Sequence, residues 1–163
     1  MSGGILQDWS ANAGNIRIQL MLASFRFAGK LYRWPRAMRW LAAPYLAIYQ
    51  LLMYWELGIE LNYKAEVGPR LKLFHGYALV IHDYAVIGAD CTLRHCTTIG
   101  ARQGVDDCPV IGDRVDIGSN SVIIGSIKLG DGSVIGAGSV VLHDVAAGQT
   151  VAGNPAKPIG SQV

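Results

Sequence analysis

The chain has 163 residues, enough for one ordinary domain with a small appendage, with 51% hydrophobic and 16% charged residues, 20 glycines and a formal net charge of +2. That composition excludes a disordered chain and, without a period of three in glycine, a collagen-like one, and no concentrated basic face marks a nucleic-acid binder. Cys91, Cys96 and Cys108 lack any CxxC spacing, so neither a disulfide framework nor a zinc site is expected, and reduced thiols of a cytoplasmic protein are the simplest reading.

The charge is unevenly placed. Residues 1–58 carry six cations (Arg17, Arg26, Lys30, Arg33, Arg36, Arg39) against Asp8 and Glu56, six minus two or +4, while residues 59–163 carry eight against ten, or −2. The opening "MSGGILQDWS" has no basic segment leading into an apolar run, so it does not read as a secretory signal. Apolar positions across residues 5–58 recur at helical spacing and predict two or three helices, with Pro35 and Pro44 as breaks or first-turn positions. The stretch "WLAAPYLAIYQLLMYWELGI" (40–59) approaches the length of a membrane span, but Pro44, Gln50 and Glu56 interrupt it and its aromatics are scattered. It reads as a helix buried against neighbours or another subunit, with a membrane span as the first alternative and peripheral contact between its basic side and anionic lipid as a lesser one.

From residue 87 a different beat begins. Ile87, Leu93, Ile99, Val105, Ile111, Ile117, Ile123, Leu129, Ile135 and Val141 stand six apart, and glycine often follows, as in "IGADCT", "IGDRVD" and "IGAGSV". A helix would repeat near 3.6 and an alternating strand at 2; six is neither. It fits short strands joined by tight turns, three to a coil of eighteen residues, with the aliphatic side chain inside a triangular prism. The expected organisation is a helical region, 1–58, followed by a mainly β coil with a C-terminal loop, 59–163. The beat slips once: Leu73 to Ile81 is eight, so two extra residues bulge out beside His75, in "LKLFHGYALV".

Coils stack at about 4.8 Å, so residues one coil apart are neighbours. His75 and His95 each stand third in a hexad and twenty apart, one coil plus the bulge, and are expected one above the other outside the prism. An imidazole titrates near neutral pH and can take a proton there. Ala101, Ser119 and Ala137, eighteen apart, are expected to form a ladder of small side chains. The four histidines offer no compact ligand set, so no metal is expected.

These residues resemble the serine acetyltransferase branch of the hexapeptide-repeat acyltransferases. The match runs from about Asp8 to Gly160 and is carried by the repeat, by "LFHGYALVIHDYAVIG" and by "IGAGSVVLHDV" with "AGNPAK". The resemblance implies a left-handed parallel β-helix, homotrimers with active sites between neighbouring prisms, and acetyl transfer from acetyl-CoA to a hydroxyl. It makes His75 the general base and Glu60, fifteen residues earlier, the carboxylate that orients it. It lays acetyl-CoA along Ala101, Ser119 and Ala137, with Lys157 near its phosphates. Asp8, Phe74, His95, Asp107 and Cys108 would face the acceptor. Here the sequence departs from the branch: Phe74 stands where it has Asp, and Asp107-Cys108 where an Arg-His pair would grip the serine carboxylate. Two carboxylates, Asp106 and Asp107, would repel that carboxylate. The expected acceptor is therefore a sugar hydroxyl, as in acetyltransferases of colanic-acid and other exopolysaccharide synthesis. Serine O-acetylation and a non-catalytic trimeric scaffold are the alternatives.

Overall fold

The computed structural model describes residues 4–160. A 3₁₀ turn (Ser10–Asn12), helix α1 (Ile16–Tyr32), a second 3₁₀ turn (Arg36–Met38), helix α2 (Arg39–Leu51) and one π turn (Leu52–Glu56) precede the strands. Pro44 lies inside α2, with its ring on the exposed side. The strands follow in rotation around three faces. The first face stacks β1 (Glu60–Leu61), β4 (Val80–Ile81), β7 (Thr98–Gly100), β10 (Val122–Ile124) and β13 (Val140–Val141). The second stacks β2 (Glu66–Val67), β5 (Val86–Ile87), β8 (Val110–Ile111) and β11 (Lys128–Leu129). The third stacks β3 (Lys72–Phe74), β6 (Thr92–Arg94), β9 (Asp116–Ile117), β12 (Val134–Ile135) and β14 (Thr150–Ala152), with β15 (Lys157–Pro158) antiparallel at the top. All other pairings are parallel, so the chain folds as the parallel β-helix that the six-residue beat predicts.

Each strand turns its aliphatic residue inward, and the residues stack by face: Leu61, Ile81, Ile99, Ile123 and Val141 on the first, and Leu73, Leu93, Ile117, Ile135 and Val151 on the third. All ten are buried, each contributing on the order of 2 kcal/mol of transfer free energy. Coil length varies. Leu73 pairs with Leu93, twenty residues on; Leu93 with Ile117, twenty-four on; Ile117 with Ile135, eighteen on. The first interval holds the bulge at residues 75–79. The second corrects the count. Val105, one of the ten beats, is 65% exposed in a loop between β7 and β8, and Ile99 is followed on the wall by Ile111. The excursion adds six residues, so the phase survives it unseen.

Glycine follows the aliphatic residue mainly because coils nearly touch there. A Cβ on Gly88 would lie 2.5 Å from the Gly112 carbonyl oxygen, and one on Gly118 would lie 2.4 Å from the Ala137 nitrogen. Neither has a positive φ, so close approach is the cause.

A parallel coil ends in unpaired backbone edges, which invite association unless covered. The helical region covers the lower edge on all three faces. Tyr49 of α2 donates its hydroxyl to the Leu61 carbonyl at 2.6 Å, and burial holds that phenol well above its ordinary range. Arg26 of α1 donates to the carbonyls of Val67 and Gly68 and to both Asp8 oxygens. Asp8 accepts from the Leu71 N–H at 2.9 Å, and Asn12 bonds both the Leu71 carbonyl and the Leu73 N–H. Asp8, expected at the acceptor, is therefore 2% exposed with both oxygens occupied; its place is beneath the coil. The 40–59 stretch buries Ala42, Tyr49 and Met53 but leaves its other side exposed in this chain. Among the described residues no helix is long and apolar enough to cross a membrane.

Candidate active site

The corner between the third and first faces carries one vertical column. Phe74 pairs with Arg94, which puts His75 beside His95. Continuing the registers, His95 lies under Ser119, Ser119 under Ala137, and Ala137 under Gly153. The four steps between these five rungs, at strand spacing, span about 19 Å. The rings of His75 and His95 meet edge to face with centroids 5.8 Å apart, as the count from sequence expects. His75 is exposed, and its φ of +66° is a left-handed conformation that costs a non-glycine residue energy. The Nδ1 of His95 is buried without a hydrogen-bond partner.

Helix α1 holds that strained turn. Gly76 has a φ of +43°, which favours glycine, and a Cβ there would lie 2.8 Å from Ile18 Cδ1, so α1 packs down on the residue after the base. Arg17 donates to the Tyr77 hydroxyl and lies over its ring, 4.2 Å from the centroid. Sequence reasoning missed Arg17, Ile18 and Tyr77; the signal available was a glycine directly after the candidate base within an inserted segment. Phe74, 39% exposed, stands outward on β3 with Lys72 and Arg94 over its ring at 4.7 and 5.4 Å. Glu60 is exposed at the start of β1, beneath Val80 on the first face. Among the described residues no ion pair joins Glu60 to His75. Its charge reaches Tyr54, whose phenol burial and then Glu60 push up.

The ladder of small residues needs correction. Ser119 and Ala137 stand in the histidine column, but Ala101 follows β7 at the next corner, between first and second faces, beneath Gly125. The 101–109 loop makes that coil twenty-four residues long, so a spacing of eighteen does not mean a shared corner there. The same loop carries Asp107 and Cys108 away from His75 within one chain. Asp107 accepts from the N–H groups of Gln103 and Ser126 and so fastens the loop to the coil above. The Cys108 thiol lies 3.1 Å from His82 Nδ1, its pKa raised by burial and then by Asp107 and Asp106, so it stays protonated. Lys157 is exposed on the hairpin whose Gly153 tops the column, with Val140 bonded to both Gly153 and Ala156. Among the described residues no cluster of three metal-binding side chains occurs.

A family model described as the hexapeptide repeat of succinyl-transferase matches residues 110–143. Over 159 residues the chain is 38% identical to WcaB of Escherichia coli K12, named as a colanic acid biosynthesis acetyltransferase, covering 94% of this chain and 97% of that one. It is 38% identical over 155 residues to serine acetyltransferase 4 of Arabidopsis thaliana, covering 94% of this chain but 42% of the plant protein. Among solved structures, the apoenzyme of soybean serine acetyltransferase superposes with a TM-score of 0.80 at 31% identity, covering 96% of this chain and 67% of that one. The chain thus spans nearly the whole of WcaB and less than half of the Arabidopsis protein.

Proposed function

The chain belongs to the hexapeptide-repeat acyltransferase family, and from that premise we propose that it transfers an acetyl group from acetyl-CoA to a hydroxyl of a sugar unit in exopolysaccharide synthesis. The observation that carries the reading is the column: an exposed imidazole on a strained turn, a second imidazole stacked on it, and small side chains above.

His75 accepts the proton of the acceptor hydroxyl as its oxygen attacks the thioester carbonyl carbon. The tetrahedral oxyanion collapses, the carbon–sulfur bond breaks, and the proton on His75 passes to the departing CoA thiolate. Glu60, on the coil below, takes the role of the carboxylate that orients the imidazole, as the family resemblance implies. The pantetheine arm lies along Ser119 and Ala137, where no bulky side chain blocks it, and Lys157 meets the phosphates. Ala101, Asp107 and Cys108 lie at another corner, so they serve the site only if the loop belongs to a neighbouring copy. The working unit is a homotrimer with each site between two prisms. Asp107 then faces an acceptor that has no carboxylate, Cys108 stays packed on His82 at 7% exposure, and Phe74 offers an apolar wall to a sugar ring. WcaB, covered almost end to end, supports the sugar; the serine acetyltransferases support serine as the second reading.

Thiol release from acetyl-CoA separates them. Turnover with sugar nucleotides or lipid-linked saccharides, and none with L-serine, is expected. Fast release with L-serine alone establishes the second reading, and no release with any hydroxyl acceptor leaves the prism a scaffold. Acetyl-CoA should also raise the melting temperature, as any ligand of the native state does. On this reading the reaction takes place in the cytoplasm.

A further inference from the structure

The segment from α2 through the π turn presents an apolar stripe that nothing in the chain covers. Trp40, Leu41, Ile48, Leu51, Leu52 and Trp55 follow helical spacing and are all at least half exposed, the two tryptophans at 71% and 82%. No charged residue occurs between positions 40 and 55. At the Trp40 end stand Lys30, Arg33, Arg36 and Arg39, all exposed and, among the described residues, without a carboxylate partner. The coil behaves differently: Arg70, Arg94 and Arg114 each pair with an aspartate.

We infer that this face docks in the plane of an anionic phospholipid surface. Helix α2 is about 20 Å long, too short to span a bilayer but suited to lie in its interface with the apolar side down. Exposed indoles at both ends match the zone between headgroups and acyl chains, and unpaired cations at one end match lipid phosphates. The occupant is not a second copy on charge grounds. Another copy would bring the same four cations against two exposed carboxylates near this stripe, Glu56 and Glu60. An acidic peptide is a poorer fit because the stripe is the convex side of a helix, without groove walls. The inference is independent of the acetyl acceptor.

The test uses the full-length protein with mixed phosphatidylglycerol–phosphatidylcholine vesicles and with pure phosphatidylcholine vesicles. Co-sedimentation with the mixed vesicles, a blue shift of tryptophan emission, weakening by added salt and little binding to pure phosphatidylcholine are expected. Arg36→Gln with Arg39→Gln should weaken partitioning about thirtyfold, and Ile48→Glu with Leu51→Glu should abolish it. Both side chains of the latter pair are more than half exposed, so helical circular dichroism should persist; if that variant unfolds, the arginine pair decides alone. Absence of vesicle binding at low salt overturns the inference. So does binding indifferent to lipid charge, or a particle mass that falls to half in Leu51→Glu, which would make a second copy the occupant.

Discussion

The lower and upper halves of the histidine column share one corner and one stacking rule, yet they differ in every detail that matters for chemistry. The lower half is irregular: its coil carries two extra residues, puts His75 at positive φ, and is braced by Ile18 and Arg17 of α1. In the upper half Ser119 and Ala137 stand eighteen apart and Ala137 and Gly153 sixteen, all at wall positions without an inserted bulge like that at His75. A strict repeat can build only a smooth wall. Reactivity requires a local break in the repeat, together with an outside element that fixes the break. The division of labour follows: acid–base work below, a lane for an extended arm above.

The sharpest way to break this comparison is at its foot. His75→Ala should lower acetyl transfer about a thousandfold, the scale of general-base loss, with circular dichroism and particle mass unchanged. A comparable loss in Ser119→Ala would dissolve the distinction. Next in size is the base of the coil. Asp8→Ala leaves Arg26, 10% exposed at its side chain, without its carboxylate, and should cost about 3 kcal/mol in denaturant unfolding. If Asp8 instead touched the acceptor, activity would fall with stability intact.

In the upper half, Ala137→Leu should raise the KM for acetyl-CoA about tenfold while kcat and melting temperature hold, because residue 137 is exposed. A fall in kcat alone would move the lane elsewhere. The smallest effect concerns pH. Burial pushes the Cys91 thiol from 9.0 up to about 11. As pH rises through 9 the unfolded chain ionises first while the folded thiol stays neutral, so this group's effect is absent below 9 and lowers stability between about 9 and 11. Denaturation midpoints should fall over that window, and Cys91→Ala should flatten part of the fall. An identical slope in both proteins would remove Cys91 as a cause.

The coil was legible because each wall position must be aliphatic and each close approach must be glycine, two demands that write themselves into sequence every sixth residue. The stacking of His75 on His95 followed from the same count. Ala101 was misplaced because the 101–109 excursion inserts one whole period, which a count cannot distinguish from wall. Asp8 was misread for another reason. Nothing in "QDWSAN" states that its carboxylate meets Arg26 and the Leu71 N–H, since those bonds close an edge more than sixty residues away. The 40–59 stretch reads first as buried because a nearly all-apolar helix does, and sequence does not say against what it packs or which side stays uncovered.

The central claim is that the corner from His75 to Gly153 is one lane with its reactive end at the bottom. A crystal structure of the protein with CoA tests it most directly. The claim predicts the CoA sulfur within hydrogen-bond reach of the His75 ring and the pantetheine passing Ser119 and Ala137 toward the Lys157 hairpin. A sulfur lodged at a corner remote from His75, or an arm that avoids Ser119 and Ala137, would contradict it.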